Sequence, residues 1–272
     1  MKPVVSRASK IRLDVLLHES GLAESREAAR RLIMAGEVMI GDQLATKPGT
    51  LVQRNASIKL KSKPRFVSRG GDKLAAALLA FDIQLKDYVC ADIGASTGGF
   101  TDCLLQAGAK CVYAIDVGYG QLDWRIRNDK RVIVMERVNA RYLDLLPEPL
   151  DLAVADVSFI SLKLILPVIQ RLLTPRGQVV VLVKPQFEAG KGLVGKGGVV
   201  RDPAVHRQVL EDVLAFSETT GFANLGLIPS PLRGPSGNIE FLLWLSELPT
   251  NAKASSAILI EQALEAASHI ED

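Results

Sequence analysis

Between residues 88 and 245 the chain alternates continuous apolar runs with amphipathic stretches. Residues 88–93, 110–117, 132–136, 150–157 and 178–184 are apolar nearly throughout, the pattern of strands buried on both faces. Spacing near 3.6 predicts helices over 72–81, 100–106, 162–173 and 203–220. Two further runs, 223–228 and 239–245, flank a Gly/Pro-rich turn and read as a closing hairpin. The expected fold is α/β: a Rossmann-like, mostly parallel seven-stranded sheet whose last strand is antiparallel, with an outer helix from about Lys253.

The first 63 residues follow another pattern. Residues 13–19 read as a short amphipathic helix, and Ser25 is an N-cap for a second. In that second helix Ala29, Leu32 and Ile33 can face a core, while Arg26, Arg30 and Arg31 lie close together on another face. Residues 36–42 and 57–61 alternate as strands. A small α+β domain over 1–63 follows, then a charged, Pro-containing linker at 64–68, then the α/β domain over 69–272.

Charge sharpens this division. Residues 1–63 hold 12 Lys/Arg against 6 Asp/Glu, which leaves 33 − 12 = 21 against 30 − 6 = 24 for the remainder. An excess of +6 followed by −3 concentrates polyanion contact in the N-terminal domain. Aromatic residues are only 5% of the chain, which argues against extensive base-stacking platforms. Cys90, Cys103 and Cys111 sit in or beside apolar runs, without the paired spacing of a zinc site and without an apolar leader. They read as buried thiols in a reducing cytoplasm. The longest apolar stretch, such as Val179-Val180-Val181-Leu182-Val183, is too short to cross a bilayer, so no membrane partner is expected.

Candidate chemistry begins at Asp92-Ile93-Gly94-Ala95-Ser96-Thr97-Gly98-Gly99, where a strand gives way to a glycine-rich turn. Such a turn brings backbone close to a ligand at the carboxyl ends of the strands. The dinucleotide spacing Gly-x-Gly-x-x-Gly is absent, and an acid precedes the turn, so a pyrophosphate is disfavoured and a nicotinamide dehydrogenase fails. S-adenosylmethionine carries an ammonium and a sulfonium and no phosphate, so a nearby carboxylate suits it. Asp116 ends the next strand, where Rossmann-type folds place an acid on ribose hydroxyls, and Glu136 ends the third, where it could edge the adenine. Asp92, Gly94, Ser96, Gly98, Gly99, Phe100, Asp116, Val117, Glu136 and Asp156 form the expected cofactor set.

Four charged residues stand where charge needs a reason. Lys184 ends the apolar run and is held extended by Pro185, which makes it a candidate base at the active end of a buried strand. Asp156 leaves the fourth strand within reach of it if the strands are adjacent. Lys73 lies at the start of a helix, where the macrodipole disfavours a cation. Glu240 sits in the last strand run among apolar residues and wants a partner. Arg201, Lys191 and Lys196 lie in a Gly-rich loop over 188–202 that could close on a substrate.

Two resemblances gather these features. Ser-Arg-Glu-Ala-Ala-Arg-Arg-Leu-Ile, Gly-Glu-Val and Lys-Pro-Gly, over about residues 10–62, resemble the S4 RNA-binding domain, which implies that Arg12, Arg26, Arg30, Arg31 and Lys47 approach RNA phosphates. Lys73, Asp156, Lys184 and Glu240 resemble the Lys-Asp-Lys-Glu tetrad of FtsJ-like 2′-O-methyltransferases. Together with Ser68-Arg69-Gly70-Gly71, Gly94-Ala95-Ser96-Thr97-Gly98-Gly99-Phe100-Thr101-Asp102 and Lys184-Pro185-Gln186-Phe187-Glu188, the chain resembles the TlyA family of S4-domain rRNA methyltransferases, historically labelled haemolysins. That resemblance implies S-adenosylmethionine-dependent 2′-O-methylation of a cytidine in ribosomal RNA or ribosomal subunits. It also implies an interdomain motif at Arg65-Phe66-Val67-Ser68, with Arg65 near RNA. Lys184, oriented by Asp156 and Glu240, would receive the hydroxyl proton, and no metal is expected because the sulfonium is already activated. A pore-forming haemolysin would need a long amphipathic or membrane-spanning segment. A non-catalytic RNA-binding protein would not need an intact tetrad.

Overall fold

A computed structural model of the chain describes residues 10–61, 64–190, 192–247 and 255–269. Ser62 and Lys63 at the end of the expected N-terminal domain, Lys191 of the loop and the expected helix start near Lys253 lie outside the described residues. The chain divides into two compact units between Pro64 and Arg65.

The first unit runs β1 (Lys10–Arg12), α1 (Leu13–Glu19), α2 (Arg26–Met34), β2 (Val38–Ile40), β3 (Gln43–Ala45), β4 (Leu51–Gln53) and β5 (Ile58–Leu60). Ser25 caps α2, its Oγ accepting from the Ala28 N–H at 3.1 Å. Leu13, Leu16 and Leu17 of α1 pack with Ala29 and Ile33 of α2 over Val38. The strands pair antiparallel as β1–β4 and β3–β2–β5. At three residues each, β1, β3 and β4 are too short for alternation to announce them.

The second unit runs α3 (Gly70–Ala80), β6 (Val89–Ile93), α4 (Gly99–Gln106), β7 (Cys111–Asp116), α5 (Trp124–Arg127), β8 (Val132–Glu136), β9 (Leu150–Ala155), α6 (Leu166–Leu172), β10 (Leu173–Val183), α7 (Pro185–Glu188), α8 (Pro203–Thr219), β11 (Ala223–Pro229), β12 (Phe241–Ser246) and α9 (Ser256–Ala267). Its seven strands are ordered β11–β12–β10–β9–β6–β7–β8, and β12 alone runs opposite to the other six. Continuous apolar strands bury both faces. Leu74, Leu78 and Leu104 of α3 and α4 cover one face, while Ile169, Leu210, Leu214 and Ile260 of α6, α8 and α9 cover the other.

The helix expected over 162–173 is broken: a 3₁₀ turn at Leu162–Leu164 precedes α6, because Pro167 lacks a backbone N–H and is accommodated in a first helical turn. From Arg65 onward the expected linker is packed. Phe66 is 2% exposed, Val67 N–H donates to Asp102 Oδ2 at 2.8 Å, and Gln106 Nε2 donates to the Arg65 carbonyl at 3.0 Å. An apolar ring gains more from burial beside α4 than a solvated linker would allow.

Candidate active site

The strand order reverses between β6 and β9, so their carboxyl ends splay their connections apart and leave a crevice. Gly94 leaves β6 at φ +86°, and a Cβ there would lie 2.6 Å from the Asp156 carbonyl oxygen at the end of β9. Only glycine permits both that conformation and that approach. Asp116, at the end of β7, is fixed by Ser96 N–H on Oδ2 at 2.8 Å and Gly118 N–H on Oδ1 at 2.6 Å. Around it a cleft of about 720 Å³ is lined by Gly94, Ser96, Val117, Asn139, Ala140 and Asp156. Nothing in the hydrophobic pattern singles out Asn139; the local signal is its own geometry, its Oδ1 accepting from Arg141 N–H at 3.1 Å to cap a 3₁₀ turn.

Three expected cofactor residues stand elsewhere. Asp92 is fully buried beneath α4, where its Oδ2 accepts from Thr101 N–H at 2.9 Å and Thr101 Oγ1 at 2.6 Å, while Oδ1 has no hydrogen-bond partner. Burial pushes its carboxyl up to about 7, against the opposing hydrogen bond from Thr101. It shapes the turn from below and lines neither cavity. Glu136 does not line the cleft; Arg127 of α5 pairs with it at 2.5 Å and Gly120 N–H donates to it at 2.8 Å. The Arg127 hydrogen bond holds its carboxyl below the usual range. Gly98, at φ +92°, serves packing: a Cβ there would meet Leu122 at 2.8 Å. Gly99 and Phe100 line the neighbouring cavity, and Val117 lines the cleft.

That neighbouring cavity, about 590 Å³, shares Gly94, Ser96, Asp156, Ser158 and Phe159 with the cleft. Lys73, Asp156, Lys184 and Glu240 all line it. Topology explains the convergence. Because β9 and β10 are parallel, Asp156 and Lys184 leave the sheet at the same edge. Because β12 is antiparallel to β10, with Val183 opposite Phe241, the residue entering β12 returns to that edge. Lys184 Nζ lies 2.6 Å from Asp156 Oδ1 and donates to Ser158 Oγ at 2.8 Å. Lys73 Nζ lies 2.5 Å from Glu240 Oε2. Glu240 therefore pairs with Lys73 and not, as expected, with Lys184, and that pairing offsets the cost of a cation in the first turn of α3.

The surrounding segments brace these pairs. Glu188 in α7 accepts from Ser161 Oγ at 2.6 Å and from Leu162 N–H at 2.7 Å, tying the Lys184 segment to the Asp156 segment. Asn238, 1% exposed, accepts from Val200 N–H at 2.9 Å and donates to the Gly198 carbonyl at 2.9 Å, latching the Gly-rich loop beside Glu240. Gly198 reaches the cavity, while Lys196 and Arg201 of that loop are exposed and do not line it. A Cβ on Gly71 would fall 2.2 Å from the Phe66 ring, so the packed 65–68 segment depends on that glycine. Arg65 stacks over Phe66 at 4.7 Å.

In the first unit, buried Asp14 takes both Arg12, bidentate at 2.9 Å, and Arg26 at 3.6 Å. Arg12 also packs against Gly49 of the Lys-Pro-Gly turn. Arg26, Arg30 and Arg31 share a surface of α2, and Arg31 has Glu27 at 3.8 Å. Lys47 is exposed beside that turn.

Comparisons with known proteins agree with this architecture. The family model for FtsJ-like methyltransferases matches residues 66–247, and that for S4 domains matches 11–58. YqxC of Bacillus subtilis, described as a candidate rRNA methyltransferase, is 54% identical over 88% of this chain and 86% of its own. The 16S/23S rRNA (cytidine-2′-O)-methyltransferase TlyA of Mycobacterium tuberculosis is 48% identical over 88% of this chain and 90% of its own. A solved structure from Streptococcus thermophilus, described as a candidate hemolysin, has a TM-score of 0.71 at 46% identity and covers 95% of this chain and 97% of that one. Among the described residues no helix is long and apolar enough to cross a membrane. With an S4 domain ahead of an FtsJ-like methyltransferase domain and this similarity over most of its length, the chain belongs to the TlyA family.

Proposed function

We propose that the protein transfers the methyl group of S-adenosylmethionine to a ribose 2′-hydroxyl of cytidine in ribosomal RNA. The observation that carries this reading is the convergence of two lysine–carboxylate pairs, one buried and one half-buried, on one cavity that opens into the Asp116 cleft. The cleft suits the adenosine end of the cofactor, with Ile115, Val117 and Ile165 as apolar walls and Asp116 as an acceptor for ribose hydroxyls. Glu240 Oε1, buried without a hydrogen-bond partner, is an acceptor that a ligand donor would satisfy. Ser96, Gly94 and Asp156 would hold the cofactor where cleft and cavity meet.

When bound, the cofactor supplies an activated sulfonium methyl. That methyl would pass to the 2′-oxygen with the bonding pair left on sulfur, and Lys184 Nζ would take the hydroxyl proton. Asp156 holds Lys184 in place, and Lys73, held by Glu240, presents its N–H groups to the same cavity. Most of the acceleration comes from alignment, with proton removal the smaller share. Arg12, Arg26, Arg30, Arg31 and Lys47 of the S4 unit, and Arg65, would neutralise RNA phosphates. A ribosomal RNA substrate places the protein in the cytoplasm, with rRNA or ribosomal subunits as its partner.

The test incubates the full chain with labelled S-adenosylmethionine and 16S or 23S rRNA lacking the modification, free and in subunits, followed by nucleoside analysis. Labelled 2′-O-methylcytidine is expected. Label confined to a base, or no transfer to any of these RNAs, contradicts the reading.

A further inference from the structure

The segment that follows β9 gives Lys184 a counter-ion and a hydrogen-bond acceptor, and they are different residues. Asp156 Oδ1 lies 2.6 Å from its Nζ as an ion pair but accepts no hydrogen bond, whereas Ser158 Oγ accepts from the same nitrogen at 2.8 Å. Phe159, next in the chain, is held at φ +61°, a left-handed conformation that costs a bulky residue on the order of 1 kcal/mol or more. That turn fixes the course of the chain just after Ser158, and the Ser161 and Leu162 contacts to Glu188 hold its far side. Ser158 lines both the cleft and the cavity, whereas the sequence motifs direct attention to the four charged residues.

We infer that Ser158 is a positioning residue for methyl transfer, setting the direction in which Lys184 meets the 2′-oxygen. This rests on the methyl-transfer reading above. A lysine nitrogen carries Cε and three further tetrahedral positions. A counter-ion attracts the nitrogen from any azimuth, so by itself it leaves the group free to spin about the Cε–Nζ bond. A directional hydrogen bond to an off-axis acceptor stops that rotation and defines the remaining positions. Ser158 supplies that bond, and Lys184 lines the cavity. With one N–H of the neutral amine held on Ser158, its other N–H and its lone pair are confined to two defined positions, from which the lone pair takes the substrate hydroxyl's proton. Asp156 holds the lysine in the site, and Ser158 aims it.

The test compares the full-length protein with Ser158→Ala and Ser158→Thr, using single-turnover methyl transfer to rRNA lacking the modification and separate binding of S-adenosylhomocysteine. Ser158→Ala should slow transfer roughly 10- to 100-fold at saturating RNA and cofactor, since small misalignment is that costly. Its RNA KM and S-adenosylhomocysteine affinity should stay within about two-fold of the parent protein, since no charge in either site is changed. Ser158→Thr, which keeps the hydroxyl, should recover most of the rate. Transfer by Ser158→Ala at the parent rate, a loss equalled by weaker cofactor or RNA binding, or a Thr variant as slow as Ala would each overturn the inference. Failure of the parent protein itself to methylate any rRNA would instead remove the reading on which it rests.

Discussion

Replacing Glu240 by Gln keeps shape and size but leaves Lys73 as a cation without its carboxylate. Glu240 is 1% exposed and the Lys73 side chain only 10%, so water cannot take over the lost partner. Removing one member of a buried pair costs about 3–5 kcal/mol, and the small residual exposure of Lys73 places the expectation near the lower end, about 3 kcal/mol. For a unit of this size each kcal/mol moves Tm by about 2–4 °C, which gives a fall of about 6–12 °C. The double variant Lys73→Met/Glu240→Gln removes the orphaned charge and should recover most of the stability while remaining poor at methyl transfer. Urea unfolding of the parent, Lys73→Met, Glu240→Gln and the double variant, with the slope checked for constancy, measures the cycle. A Glu240→Gln midpoint equal to that of the parent protein, or a double variant no more stable than the single one, would refute the claim that this pair is a buried, mutually dependent unit.

Asp92 gives a pH-dependent signature. Its folded carboxyl titrates near 7 while the unfolded one titrates near 3.8, so between these values the folded state binds more protons and stability falls as pH rises. The cost is absent below about pH 4 and complete above about pH 7, amounting to about 4 kcal/mol at most. Asp92→Asn should flatten that slope, and urea midpoints at pH 5 and 8 that change equally in both proteins would contradict it. Gly71→Ala should drive Phe66 from its site, destabilising the catalytic unit by about 1–3 kcal/mol in thermal unfolding; an unchanged Tm would show that the 65–68 segment yields freely. Arg26→Glu combined with Arg30→Glu should weaken rRNA binding and reduce its salt slope by about two, with S-adenosylhomocysteine affinity intact. Unaltered salt dependence would remove the phosphate role from α2.

Much of the fold was legible because β6, β7, β9 and β10 are apolar on both faces, which only a covered parallel sheet demands. The tetrad was legible through motif resemblance and the Asp156–Lys184 pair through adjacent strand ends, but the Lys73–Glu240 pair was not. That Lys73 meets Glu240 depends on the antiparallel register of β12 and on where α3 packs, and neither is encoded near those residues. Asp92 shows the limit of arguing from proximity along the chain. Side chains in a strand alternate, so an acid two residues before the turn points beneath α4 even though the turn itself lines the cleft. Glu136 was claimed by Arg127 from α5, a four-residue helix that periodicity cannot detect. Ser158 carries no charge and no helical or strand pattern, so only its distance to Lys184 reveals it.

The central claim is that Lys184 acts on the ribose hydroxyl at the junction of cleft and cavity. Single-turnover transfer by Lys184→Ala, at saturating S-adenosylmethionine and rRNA, tests it most directly. The rate should fall about 10²- to 10⁴-fold while S-adenosylhomocysteine still binds, because the variant loses the group that takes the proton but keeps the Asp116 cleft. Methylation of cytidine at the parent rate by Lys184→Ala would contradict the account.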